Sequence, residues 1–190
     1  MKVRDSGMPE QTYWESLLDV KATLDALRVD RAVQDVVEIG CGYGTFTDPV
    51  AERIAGTMHA FDIEPEMVAL TRERLKQANV TNARVSQRDV IVDGFGLPAG
   101  SIDAVLLFNI LHAENPVQML RASTALLSPG GRLLVTHWRS DVKTPRGPDL
   151  SIRPRPEQIE AWVTEAGSLR VERAAEIVPP WHFAMALQRD

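Results

Sequence analysis

The chain has 190 residues, 44% of them hydrophobic, with 21 Lys plus Arg against 26 Asp plus Glu and a formal net charge of −5. That length suits one core-bearing domain over 1–190, the acidic balance argues against a protein built to cover nucleic-acid phosphates, and the single cysteine, Cys41, excludes an internal disulfide. No Cys/His group has metal-ligand spacing, no apolar run reaches membrane-spanning length, and the start shows no secretory apolar core, so a metal-free, cytoplasmic protein is expected.

Thr12 with Glu15 three residues on reads as a capping box. Tyr13, Leu17, Val20, Leu24 and Leu27 then recur on one face, predicting a helix over 13–28 within an N-terminal helical cap, 1–30. Asp35 to Ile39 reads as a buried strand stopping at Gly40, with a helix over 46–55 beyond it. A second strand, 57–61, leads to a helix opened by Pro65 and striped with Met67, Leu70 and Leu75. The less apolar 83–87 predicts a strand toward one edge. Residues 102–108 are the most hydrophobic run and predict a central strand, after which Asn115-Pro116 caps and opens a helix to 127. A strand at 132–138, a helix at 156–166 closed by Gly167, and strands at 170–178 and 181–188 around Pro179-Pro180 complete the series. This alternation predicts an α/β fold, a parallel sheet with helices on both faces, and an antiparallel hairpin at one edge from the last two strands.

The chemistry concentrates in Val37-Glu38-Ile39-Gly40-Cys41-Gly42-Tyr43-Gly44-Thr45, where a strand runs through glycines into a helix. Glycines at alternate positions permit positive φ and close approach to a ligand, and the helix N-terminus beyond favours an anion. The spacing departs from the Gly-x-Gly-x-x-Gly of dinucleotide folds, because the third glycine is replaced by Thr45 counting from Gly40 and by Thr47 counting from Gly42. Glu38, two before the first glycine, would repel a pyrophosphate and attract the ammonium of an amino-acid moiety. The bend reads as a site for a zwitterion.

This stretch resembles motif I of the class I S-adenosylmethionine-dependent methyltransferases, the small type with one domain. Phe61-Asp62-Ile63-Glu64, Gln87-Arg88-Asp89-Val90 and Phe108-Asn109-Ile110-Leu111-His112 match later motifs in order, and Leu127-Ser128-Pro129-Gly130-Gly131 matches a fold signature. The resemblance implies a Rossmann-like seven-stranded mixed sheet in the order 3-2-1-4-5-7-6 with the last strand antiparallel. It also implies S-adenosylmethionine as cofactor, S-adenosylhomocysteine as product, and a cofactor site that includes Glu38, Gly40, Cys41, Gly42, Tyr43 and Gly44. In the same pattern Asp62 accepts from the ribose hydroxyls and Ile63 packs on adenine. Asp89 and Val90 hold the adenine edge, and Asn109 meets the methionine part.

Methyl transfer from a sulfonium is an in-line displacement, so positioning supplies much of the acceleration and a base is needed only for a protonated acceptor. Tyr13, His112 and His137 are the candidate catalytic groups, and Tyr13, Trp14, His112 and Trp138 the candidate acceptor wall. The irregular stretch 139–155 carries Arg139, Lys143, Arg146, Arg153 and Arg155 against Asp141 and Asp149, which suggests closure over an anionic small molecule paired with Arg146 or Arg153. A monomer or homodimer acting on a small molecule, without membrane or nucleic-acid partner, is expected. The competing readings are a module that binds the cofactor without turnover, a nicotinamide oxidoreductase, and an aminopropyl transferase.

Overall fold

Ile102–Phe108 forms β4, the middle strand of a seven-stranded sheet in the computed structural model, which describes residues 7–190. The order is β3-β2-β1-β4-β5-β7-β6, with β1 at Val36–Ile39, β2 at Met58–Asp62, β3 at Ala83–Gln87, β5 at Leu127–Trp138, β6 at Leu169–Val178 and β7 at His182–Arg189. β3, β2, β1, β4 and β5 pair in parallel; β7 runs antiparallel to both β5 and β6. The expected order and hairpin are therefore present. The expected N-terminal cap, 1–30, has its first six residues outside the described part.

Period-two alternation decides which helix covers which face. Val37, Val105, Leu107, Leu133, Val135 and Leu187 pack with Leu120 of α5 (Pro116–Leu126) and with Ile159 and Val163 of α6 (Pro156–Ala166). Their neighbours Val36, Ala104, Leu106, Leu134 and Ala186 turn to the other face. There they meet Leu24 of α2 (Val20–Ala26) and Val50 of α3 (Thr47–Arg53). α4 (Pro65–Gln77) closes the β2–β3 end by packing Val68 and Leu75 on Ala60 and Val85. Its buried stripe is Val68, Thr71 and Leu75, whereas Leu70, expected on that stripe, is 38% exposed.

The N-terminal cap differs from the single helix expected. α1 spans Gln11–Ser16 and α2 starts at Val20, because the Asp19 carboxylate accepts from the Ala22 amide and opens a new helix at that point. The Thr12–Glu15 capping box does not form. Glu10 caps α1 instead, accepting from the Thr12 and Tyr13 amides at 2.9 and 3.0 Å, and Glu15 is drawn off to Arg74 and Thr45. The break rotates Tyr13 off the buried face held by Leu17, Leu24 and Leu27. At the far end of the sheet, Asp103 accepts from the Gln34 and Asp35 amides and ties the start of β4 to the start of β1. The parallel strands thus all deliver their carboxyl ends to the opposite edge.

Candidate active site

At that edge the segments following β1, β2, β3, β4 and β5 surround one cavity of about 250 Å³. Behind β1 the backbone turns through Gly40 (φ +77°) and Gly42 (φ +54°), a conformation that costs glycine nothing. A Cβ on either would press on Ile110 or Met8, both cavity residues, at 3.2 and 3.3 Å. Four of the bend's amides are already committed. Gly40 and Cys41 donate to the Phe61 carbonyl, Gly42 donates to Asp62 Oδ2 at 2.9 Å, and Gly44 donates to the Cys41 carbonyl. These four donors are thereby withdrawn from an incoming phosphate.

Acceptors line it instead. Glu38 is 2% exposed, borders the cavity and accepts from Thr47 Oγ1 at 2.6 Å. Burial, reinforced by the nearby Asp62 charge, pushes its carboxyl up to about 8. Asp62, also buried, gives one oxygen to the Gly42 amide and the other to the Glu64 amide at 3.0 Å. Each carboxylate oxygen retains capacity for a further donor. Asn109 adopts φ +55° just past β4 and is anchored by its amide on the Thr136 carbonyl; its Oδ1 is buried without a donor. An orphaned acceptor costs about 1–3 kcal/mol until a donor arrives, so Asn109 beside Glu38 and Asp62 fits a ligand bearing an ammonium and vicinal hydroxyls. Asp89 accepts from the Ile91 and Val92 amides and braces the wall that holds Val90. Cys41 is held as an inert thiol, its ionisation pushed up by burial.

Of the residues named from sequence for the cofactor, Glu38, Gly40, Cys41, Gly42, Asp62, Ile63, Asp89, Val90 and Asn109 border the cavity. Tyr43 does not, because its hydroxyl donates to the Pro9 carbonyl at 2.7 Å. Gly44 is off the wall too, set so close to α4 that a Cβ would lie 2.9 Å from Thr71 Cγ2. Among the acceptor-wall candidates, Trp14, His112, Trp138 and Arg146 border the cavity. Tyr13 is 43% exposed on another side of α1, since successive helical residues point about 100° apart. Arg153 is a loop clamp instead of a substrate partner, donating to the Pro148, Arg139 and Arg146 carbonyls and lying over the Trp138 ring. His137 is fully buried behind His112. Met8, Phe108, Ile110, Met119 and Pro148 also line the cavity and were not anticipated. Of these, only Phe108 and Ile110, flanking Asn109, had a signal in the sequence.

Residues 36–131, half of the chain, match the family model described as a methyltransferase domain. The chain is 26% identical over 198 aligned positions to a ubiquinone biosynthesis O-methyltransferase of Xanthomonas axonopodis pv. citri, covering 93% of this chain and 80% of that protein. It is 31% identical to one from Xanthomonas oryzae pv. oryzae over 134 positions, covering 70% of this chain but only 54% of the relative. A SAM-dependent methyltransferase from Aquifex aeolicus shares the fold with a TM-score of 0.82 at 19% identity, covering 95% of this chain and 94% of that one. The [4+2]-cyclase SpnF shares it with a TM-score of 0.71 at 16% identity, covering 98% and 84%, so the fold by itself does not fix the reaction. The oxidoreductase, aminopropyl-transfer and binding-only alternatives find no support in these matches. With the domain matched across the glycine bend and the strands that frame the cavity, the chain belongs to the S-adenosylmethionine-dependent methyltransferases.

Proposed function

We propose that this methyltransferase acts on a hydroxyl oxygen of a small aromatic acceptor that carries a negative charge. One observation carries the reading: a single cavity joins the acceptor set Glu38, Asp62 and Asn109 to a wall of Trp14, Phe108, Met119 and Trp138, with Arg146 on its border. The O-methyltransferase names of the Xanthomonas relatives support oxygen as the atom methylated.

When bound, the cofactor supplies an electrophilic methyl carbon. Glu38 and Asn109 would hold its ammonium, Asp62 its ribose hydroxyls, and Ile63 with Asp89 its base. Trp14 meets Trp138 edge to face at 6.0 Å, and these rings would orient a flat acceptor and exclude water. Arg146 donates to the Gly7 carbonyl at 2.9 Å through one nitrogen of a five-donor fork. Its charge would draw the acceptor's carboxylate to this end of the cavity.

The test uses S-adenosylmethionine with para-hydroxybenzoate and its methyl ester. The wild type is expected to favour the carboxylate, and Arg146→Met to raise its KM about tenfold or more while leaving the ester within about twofold. The ester controls for loss of the Gly7 contact. Equal effects on both acceptors would remove the charged-acceptor reading, and methylation of neither would remove the hydroxyl reading.

A further inference from the structure

Tyr43 stands in the glycine bend but off the cavity wall, and its hydroxyl donates to the Pro9 carbonyl at 2.7 Å. That bond is one of a set that holds residues 7–16 against the cavity. Arg146, in the loop after β5, donates to the Gly7 carbonyl at 2.9 Å. Glu15 accepts from Arg74 of α4 and from Thr45 Oγ1. The strand order β1-β4-β5 puts the bend and the loop on either side of the end of β4, so residues 7–9 cross the cavity from one flank to the other.

Little apolar packing keeps the stretch there. None of residues 7–16 is buried, although Gly7, Met8 and Trp14 border the cavity, and burial begins at Leu17. A segment that buries no side chain lifts at a small fraction of the cost of unfolding the sheet, and a hydrogen bond from a donor within reach of water adds only modestly to closure. A joint lies where such a movement needs one. α1 ends at Ser16 and α2 begins at Val20, so Leu17, Leu18 and Asp19 belong to neither helix and can absorb a rotation of α1 about the buried Leu17 side chain.

We propose that residues 7–16 are a gate through which the cofactor enters and leaves, hinged at Leu17–Asp19, and that Tyr43 and Arg146 are its latches. The inference rests on the cofactor site read above and not on the identity of the acceptor. Tyr43 is a positioning residue, acting through the Pro9 carbonyl to hold Met8 beside Gly42. Both latches grip backbone carbonyls that accept equally well from water, so opening leaves no polar group unpaired. A gate differs from a wall in its kinetics. A closed gate blocks passage both ways, so weakening a latch speeds entry and release together, whereas losing a wall contact speeds release alone.

The test uses the full chain, S-adenosylhomocysteine and no acceptor, with stopped-flow tryptophan fluorescence reporting through Trp14 and Trp138 on the cavity border. Tyr43→Phe keeps the ring and loses only the hydroxyl. It is expected to raise the entry and release rate constants together by about three- to tenfold, with Kd moving by less than either. Arg146→Met is expected to do the same. Hydrogen exchange of the ligand-free protein supplies a second readout, because a six-residue helix does not persist once detached. The Trp14 amide, bonded to the Glu10 carbonyl, is expected to exchange about three- to tenfold faster in Tyr43→Phe, with the β4 amides and the melting temperature unchanged. An unchanged entry rate, whatever happens to release, would overturn the gate, and so would unchanged exchange at Trp14. A wild type that takes up no S-adenosylhomocysteine would instead overturn the cofactor site beneath it.

Discussion

Asp62→Ala is expected to weaken S-adenosylhomocysteine binding by about 1.5–3 kcal/mol, roughly 10- to 150-fold, in a calorimetric titration. The carboxylate ends β2 at the rim of the glycine bend, with each oxygen already tied to one backbone amide and able to accept a further donor. Vicinal hydroxyls match that spare capacity as a pair. The same two amide bonds mean that alanine also loosens the bend, leaving the Gly42 and Glu64 amides without their acceptor. Asp62→Asn retains a carbonyl oxygen and loses the charge, so it separates the two effects. Asparagine is expected to keep most of the melting temperature while still binding more weakly than wild type. Unchanged affinity in both variants would take Asp62 out of the cofactor site.

Glu38→Gln is expected to change how stability depends on pH. The folded protein holds the Glu38 carboxyl at about 8 against an ordinary 4.5, so the folded state retains a proton that the unfolded chain has released. This group's contribution is complete below about pH 4.5 and is lost as pH rises toward 8, a loss on the order of a few kcal/mol. His137 and His182 are lowered by burial, and their contributions run the opposite way, lost as pH falls below the ordinary 6.5. Above about pH 7.5 the histidine contributions have levelled off and Glu38 dominates. Between pH 6.5 and 8 denaturant midpoints are expected to fall for the ligand-free wild type and to rise slightly and then level off for Glu38→Gln. An ammonium beside Glu38 favours its ionised form, so affinity for S-adenosylhomocysteine is expected to rise over the same interval in the wild type alone. Parallel curves for the two proteins would show that Glu38 is already ionised without ligand.

The middle of the sheet was legible because β1, β2 and β4 are short runs of mostly buried residues, bounded by Gly, Pro and Asn whose conformational preferences are local. The acidic positions Glu38, Asp62 and Asp89 were legible for a related reason: each stands where a parallel strand gives out, and that edge forms the cavity. What failed depended on contacts across the chain. The helix break at Asp19 follows from a side-chain cap that competes with an unbroken apolar stripe, and period alone cannot rank the two. Arg146 and Arg153 look alike in a basic loop. Only folding puts one on the cavity and locks the other onto three carbonyls. His112, just past β4, and His137, on the adjacent β5, stand 25 residues apart, and no sequence period announces their hydrogen bond.

The most direct test is a calorimetric titration of the ligand-free wild type with S-adenosylhomocysteine and, separately, with NADH. A pocket lined by Glu38, Asp62 and an orphaned Asn109 oxygen, with four of its bend amides already committed, is expected to bind the amino-acid nucleoside with micromolar or tighter affinity and to leave the dinucleotide unbound. Saturation by NADH with no heat from S-adenosylhomocysteine would contradict this account of the site.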